Sequence, residues 1–167
     1  FSQKGEGWVE TTLENVCKII SKLCDPREDE YLDLLHVGGA NIESQTGALI
    51  KLQTAREEGL KSGKFPFDDS MVLYSKIRPY LEKVARPSFE GLCSADIYPL
   101  TPNDGDLTRD FLFHLLLTPD FTDYAIEGSG RAGMPKVNRK HLFAYSFFVP
   151  PLPEQKGISD QLDALSE

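Results

Sequence analysis

The chain has 167 residues, of which 40% are hydrophobic and 26% are charged, so its composition is typical of one soluble globular domain with its own core. Its net charge of −8 at pH 7 argues against a protein that binds nucleic acid indiscriminately, because Lys and Arg are needed to neutralise phosphates. None of its apolar runs approaches the roughly 18 residues of a membrane-spanning helix, so we expect no membrane partner.

The N-terminal part of the chain predicts short elements separated by turns. Residues 13–23 are rich in apolar side chains without a decisive period, so they fit either a strand or a helix. Residues 36–42 contain two glycines and an asparagine, which predicts the end of a strand followed by a tight turn. Residues 55–64 are polar and contain two glycines, which predicts an exposed loop.

The middle of the chain predicts a pair of strands and one further strand. Residues 71–77 have strand composition, and Arg78-Pro79 ends that strand because a proline restricts the residue before it. Residues 81–85 then predict the return strand. Residues 93–100 predict another strand, which leads into a cluster of turn-forming residues.

Helical signals dominate after this point. Thr108 can cap a helix that runs to Leu117, and apolar residues on most sides of that helix predict that it is buried. Residues 121–127 predict a second, short helix, and the glycine-rich residues 128–135 predict a flexible loop. Residues 146–149 predict the last strand, which a Pro-Pro pair ends.

The tail predicts a helix of a different kind. Pro153 suits its first turn, and the apolar residues Ile158, Leu162 and Leu165 follow at i, i+4 and i+7, on one side of the helix. Isolated helices shorter than roughly 12–15 residues are marginal, so we expect this helix to continue beyond the C-terminus. Phe1 is not a natural start, and we expect the chain to come from a longer protein.

Basic residues are concentrated in two short segments of an otherwise acidic chain. Residues 76–86 contain four basic side chains and one acidic side chain, and residues 131–141 contain four basic side chains and no acidic one. Two interpretations stay open. The segments are either solvated surfaces without a partner, or local contacts to an anion such as the nucleic-acid backbone.

The tail and four other segments resemble one protein family. Residues 148–155, Phe-Val-Pro-Pro-Leu-Pro-Glu-Gln, resemble the junction between a strand and a long conserved helix in specificity (S) subunits of type I restriction–modification enzymes. The segments that resemble the same family, in the same order, are Gly7-Trp8 with Leu13 and Val16, residues 72–83 with Ser-Lys-Ile-Arg-Pro-Tyr, residues 91–96, and residues 133–138. One segment departs from the family, because residues 68–71, Asp-Asp-Ser-Met, stand where it usually has Gly-Asp.

The resemblance implies an α/β fold of α+β character, with a twisted, largely antiparallel sheet, a few helices and the start of a long C-terminal helix. A full S subunit of this family has two such domains, separated by two long helices that pair antiparallel and act as a ruler. Residues 1–152 would then form one target-recognition domain that reads one half of a bipartite DNA site. Residues 153–167 would begin a spacer helix.

The resemblance also implies a non-catalytic chain and its partners. These would be double-stranded DNA, an adenine-N6 methyltransferase subunit that uses S-adenosylmethionine, and a restriction subunit that uses ATP with Mg²⁺. The chain itself would hold no cofactor and would act in the cytoplasm. Three cysteines without metal-type spacing agree with this, because they predict buried thiols in a reducing compartment.

Three sets of candidate site residues follow. We expect the two basic segments to contact phosphates through Lys76, Arg78, Lys83, Arg86, Arg131, Lys136, Asn138, Arg139 and Lys140. Domains of this family share these motifs although they recognise different DNA sequences, so the motifs cannot determine which sequence is recognised. We therefore expect the residues that contact bases to lie outside the motifs, at Gln45, Thr46, Gln53, Arg56 and Lys61. We expect subunit contacts at Ile158, Leu162 and Leu165. Arg78 and Lys83 could instead pair with carboxylates inside the fold, and the candidate readers could be solvated loop residues.

Other functions are less well supported by the residues. His114 lies in the apolar helix, where a core histidine is more usual than a catalyst, and the aspartates near residues 68 and 104 are typical of solvated turns rather than of a metal site. Two alternatives stay open. The chain could be the reading end of a single-chain restriction–methylation enzyme, or a protein-interaction module whose binding lacks salt dependence.

Overall fold

The computed structural model describes residues 1, 4–19, 22–130 and 133–166. Its strands are β1 (Val9–Thr12), β2 (Cys17–Ile19), β3 (Leu35–Val37), β4 (Gln53–Thr54), β5 (Phe65–Phe67), β6 (Val72–Ser75), β7 (Val84–Ala85), β8 (Gly91–Cys93), β9 (Ile97–Pro102) and β10 (Ser146–Val149). They form sheets of order β1-β10, β2-β9-β6-β7 and β4-β3-β8-β5. The pairings in these sheets are antiparallel except that of β3 with β8, so the expected largely antiparallel α+β fold is confirmed.

Helices accompany the sheets, and several of them are short and capped by a side chain. They are α1 (Leu13–Val16), α2 (Ala55–Glu58), α3 (Arg109–Leu115), α4 (Pro119–Glu127), α5 (Arg139–Phe143) and α6 (Leu152–Leu165). Side-chain oxygens accept hydrogen bonds from backbone N–H groups in the first turns of α2 to α5, which stabilises these helix ends. The capping residues are Thr54, Thr108, Thr118 and Asn138. In the described part of the chain, no helix is long and apolar enough to cross a membrane.

The sheet β2-β9-β6-β7 separates two hydrophobic cores. Successive residues of a strand point to opposite sides, so Val72 and Tyr74 of β6 pack in the larger core and Leu73 packs in the smaller one. The larger core also contains Phe111 of α3 and Phe121 of α4, both almost fully buried. Burial of each large apolar side chain contributes roughly 1.5–3 kcal/mol, so these helices are held to the sheet mainly by apolar packing.

The two ends of the domain meet. Strands β1 and β10 pair antiparallel, with Val9 opposite Val149, and α6 follows directly from β10. Helix α6 packs against α3. The chain therefore enters and leaves the domain at one place.

Several sequence-based expectations are confirmed. The strand expected within residues 71–77 is β6, the helix capped by Thr108 is α3, and the last strand is β10. The second helix and the C-terminal helix are also present as α4 and α6. Residues 13–23, for which the sequence left strand and helix open, contain both, because α1 is followed directly by β2.

Two expectations are wrong. Residues 55–64 do not form a loop throughout, because Thr54 and Glu57 cap each other's backbone and start α2, which Gly59 ends at φ 62°. Residues 93–100 do not form one strand, because the chain turns at residues 94–96 and passes from β8 into β9, in a different sheet.

Two further segments differ in extent. The return strand expected over residues 81–85 is only β7, because Pro79–Leu81 forms a 3-10 turn before it. Helix α5 was not expected at all, since it has five residues and depends on the Asn138 cap.

Candidate nucleic-acid interface

The two basic segments lie side by side in the structure. Ile77 and Lys136 form an antiparallel bridge. On either side of it, the Val137 N–H donates to the Lys76 carbonyl oxygen at 2.9 Å, and the Arg78 N–H donates to the Pro135 carbonyl oxygen at 2.8 Å. Backbone pairing therefore joins segments that are distant in the sequence.

We call the resulting surface the basic face and define it by five cations. They are Lys76, Arg78, Lys136, Arg139 and Lys140. All except the half-buried Lys76 are exposed. No ion pair between described residues includes any of them. Their charges are therefore available to an external anion.

Aromatic rings support two of these cations. The Lys76 ammonium lies 5.3 Å from the centre of the Tyr98 ring, and the Arg139 guanidinium lies 5.7 Å from the centre of the Phe143 ring. The Tyr98 hydroxyl donates to the Val137 carbonyl oxygen at 2.9 Å. Burial raises the pKa of Tyr98, and the charge of Arg139 opposes that rise. Cation–π contacts of this kind orient a cation without neutralising its charge.

Lys83 and Arg86, also expected to contact phosphates, lie outside the basic face. The Lys83 ammonium donates to the Gly39 carbonyl oxygen at 2.7 Å, which is a backbone partner rather than the carboxylate considered as an alternative. Arg86 pairs with Asp110 at 2.7 Å and with Asp163 at 2.5 Å. Both cations thus have partners within the protein itself.

Asn138 and Arg131 are the remaining residues that we expected to contact phosphates. The Asn138 side-chain oxygen accepts from the His141 N–H at 2.8 Å, so this residue caps α5 and places Arg139 and Lys140 in its first turn. Arg131 lies outside the described residues.

The candidate base readers do not come together. Gln45 donates to Glu82 at 3.0 Å, and Thr46 donates to Glu43 at 2.7 Å. Both residues border a cleft beside the C-terminal end of α6. The three remaining candidates lie on or near β4 and α2: Gln53 and Lys61, which are exposed, and Arg56, which pairs with Asp33 at 3.1 Å.

Sequence reasoning missed two residues at the basic face. Tyr98 is one, and Lys18 of β2 is the other: it is exposed and borders the same small cleft as Arg139 and Phe143. Lys18 stands between Cys17 and Ile19, and this apolar–polar alternation is the signal that could have identified it.

The three expected subunit contacts differ in exposure. Ile158 is half-buried and packs against the larger core of its own domain. Leu162 and Leu165 line the cleft beside Leu117 and Phe113, and Leu165 is 82% exposed. Among the described residues, no group of three or more His, Cys, Asp or Glu side chains could hold a metal ion.

The geometry defines a class of protein: an α+β domain with a local cationic surface on a chain of net charge −8. A family model for the type I restriction modification DNA specificity domain matches residues 5–167. Over 158 residues the chain is 39% identical to the type I restriction enzyme EcoDI specificity subunit of Escherichia coli. The aligned region covers 95% of this chain and 34% of that protein. The chain belongs to the family of type I restriction modification DNA specificity domains, and the resemblance seen in its motifs is confirmed.

Solved structures share the fold. The HsdS subunit of Thermoanaerobacter tengcongensis matches 96% of this chain and 42% of its own, with a TM-score of 0.82 and 23% identity. The type I restriction-modification S subunit of M. genitalium matches 94% of this chain and 38% of its own, with a TM-score of 0.61 and 13% identity. The chain spans about a third of the length of the curated relative and less than half of these solved chains.

Proposed function

We propose that this domain binds double-stranded DNA through the basic face and reads one half of a bipartite site. The observation that carries the proposal is that backbone pairing of the two basic segments forms the basic face, whose five cations have no carboxylate partner among the described residues, on a chain of net charge −8. Because the rest of the molecule repels phosphates, such a surface restricts contact with DNA to one orientation. Phosphate contacts set that orientation, and side chains at base edges select the sequence.

Base reading requires side chains with free donors or acceptors. Gln45, Thr46 and Arg56 would each have to give up a bond to a carboxylate before reaching a base. Gln53 and Lys61 are exposed and would not, so we keep them as the preferred readers within the set.

We further propose that residues 1–152 are the reading unit and that α6 begins the spacer to a second such unit. The domain would act without catalytic residues of its own, in the cytoplasm, and would direct a methyltransferase subunit and a restriction subunit to the site. S-adenosylmethionine, ATP and Mg²⁺ would be bound by those partners. The family assignment and the position of α6 at the end of the domain support this arrangement.

The test is the salt dependence of DNA binding by the S subunit that contains this domain, assembled with its methyltransferase subunit. Lys136→Ala and Lys140→Ala should weaken binding to all DNA sequences alike and reduce the slope of log affinity against log salt by about 0.9 per lost phosphate contact. Lys4→Ala is the matched control, because Lys4 is exposed and lies outside the basic face. Unchanged slopes in both variants would contradict the proposal and favour a protein-interaction module.

A further inference from the structure

Helix α6 is fixed to the domain by polar contacts at two places along its length. The first lies in its first turn, at Glu154 and Gln155, and the second lies near its end, at Asp163. At 1.5 Å per residue, the spacing of eight positions from Gln155 to Asp163 separates the two places by about 12 Å. Packing of Ile158 against the larger core holds the middle of the helix, and the polar attachments on either side of it set the direction of the helix.

The first attachment is the buried side chain of Gln155. Its oxygen accepts from the Thr108 N–H at 2.8 Å, and its amide group donates to the carbonyl oxygens of Asp106 at 3.0 Å and Pro150 at 2.9 Å. Gln155 has no solvent exposure. It therefore joins the start of α6 to the chain entering α3 and to the end of β10.

A neighbouring contact closes the same end of the domain. The Trp8 indole N–H donates to the Glu154 carboxylate at 2.9 Å. Trp8 belongs to the opening motif of the chain and Glu154 to the tail motif, so the contact joins the two ends of the domain where α6 begins.

The second attachment is a cluster of charged side chains. The Arg86 guanidinium lies 4.2 Å from the centre of the Phe113 ring, and it pairs with Asp110 of α3 and Asp163 of α6. His114 of α3 also contacts Asp163, at 2.8 Å. Arg86 follows β7, so the cluster links the sheet β2-β9-β6-β7, α3 and α6 through charge-assisted hydrogen bonds.

We infer that Arg86 and Asp163 are positioning residues that fix the direction in which α6 leaves the domain and so set the distance between the two half-sites. The inference rests on the proposed function. Helix α6 has 14 residues and is therefore about 21 Å long, so a change of about 10° in its direction moves its far end by about 3.6 Å, which slightly exceeds the ~3.4 Å rise of one base pair. A small change in the direction of α6, caused by loss of the Asp163 contacts, is therefore enough for the S subunit to bind half-sites at a wrong spacing.

The experiment uses the full S subunit assembled with its methyltransferase subunit and a DNA library in which the native half-sites are separated by the native spacing or by one base pair more or less. Asp163→Asn should lower the preference for the native spacing by about tenfold, because it removes a charge-assisted pair, while the half-site sequences stay unchanged. Asp163→Glu, which keeps the charge, should restore most of that preference.

Asp160→Asn is the matched control. Asp160 lies on the same helix and pairs with Lys156 at 2.7 Å, in an exposed pair that does not reach the domain. The control should keep the native spacing preference. If Asp163→Asn keeps it too, or if it loses half-site discrimination instead, the inference is overturned.

Amide hydrogen exchange in the same proteins separates a change of helix direction from a folding defect. In Asp163→Asn, exchange should become faster in α6 after Ile158, while β6 and β9 stay protected. Loss of protection in β6 and β9 would overturn the inference, because Asp163 would then hold the domain together. If the unsubstituted protein showed no preference for its half-site sequence, the proposed function would fail, and the inference would fail with it.

Discussion

At the residue scale, His36 is a titratable group in the interior of the domain. It lies buried in β3, and its Nδ1 is 2.7 Å from a Glu58 carboxylate oxygen without the alignment of a hydrogen bond. Neither ring nitrogen has a hydrogen-bond partner among the described residues. Burial lowers the pKa of His36 below its usual 6.5, and the nearby Glu58 charge only partly offsets that effect. Burial in the folded domain therefore favours the neutral form of this imidazole.

The direction of the His36 pKa shift predicts a loss of stability in mild acid. Below pH 6.5 the unfolded chain binds a proton that the folded chain does not. The free energy of unfolding therefore decreases as the pH is lowered, until the pH reaches the lower pKa of His36 in the folded chain. One such group contributes at most about 1.4 kcal/mol per pH unit. Urea unfolding from about pH 5 to about pH 8 should show this slope, and His36→Leu should reduce it.

Glu58→Gln provides the comparison for His36. Removing the carboxylate takes away the influence that raises the pKa of His36, so stability should continue to fall to a lower pH than in the unsubstituted protein. If His36→Leu leaves the pH dependence of the unfolding free energy unchanged, the slope comes from other groups and this account of His36 is wrong.

Residue-scale chemistry also explains which site residues the sequence could identify. Lys136 and Arg86 both lie in basic segments, and nothing local distinguishes them. Lys136 is exposed beside a backbone bridge, whereas Arg86 meets Asp163, a residue far along the chain. Charge clustering therefore predicts that a cationic surface exists, but the fold decides which cations belong to it.

At the element scale, the sequence predicted those helices and strands whose caps and apolar patterns lie within their own segment of the chain. Helix α3 combines a Thr108 cap with a long apolar run, and β6 alternates between two cores. Helices α2 and α5 are too short for a periodic pattern and exist because side chains cap them. The break between β8 and β9 depends on the sheet that each strand joins, which is a tertiary property.

The attachment of α6 gives the element-scale prediction. Gln155→Leu keeps an apolar stem of similar size, but it leaves the Thr108 N–H and the carbonyl oxygens of Asp106 and Pro150 without their partner. Asp106 is exposed, whereas Thr108 is half-buried and Pro150 is buried, so the cost of about 1–3 kcal/mol for an unpaired buried polar group applies to the last two. We therefore expect a loss of roughly 3 kcal/mol in the free energy of unfolding. Urea unfolding at constant m-value measures it.

Gln161→Leu is the control for this substitution. Gln161 lies on the same helix and is exposed, so its replacement should change stability by less than about 0.5 kcal/mol. Leu and Gln have nearly the same helix propensity, so equal effects of the two substitutions would mean that the buried amide of Gln155 is not the cause of the loss.

At the scale of the whole molecule, the fold has the organisation of an exchangeable unit. The pairing of β1 with β10 and the Trp8–Glu154 contact bring the chain ends together at the start of α6. Domains whose ends lie close together tolerate insertion into another chain, because the host needs to accommodate only one junction. The basic face is built from residues inside this unit, so its DNA contacts should move with it.

The last prediction follows from this organisation. The whole chain, placed in a full S subunit instead of one of its own recognition domains and expressed with the methyltransferase subunit, should change one half of the methylated motif and leave the other half unchanged. The readout is a map of methylated adenines across the host DNA. A graft that also contains Lys136→Ala should keep the new half-site but methylate it less, because a phosphate contact adds affinity without sequence information. If the complex assembles and the replaced half-site becomes degenerate, the fold is compatible with the subunit but the domain does not read DNA. If the motif is unchanged, reading lies elsewhere in the subunit.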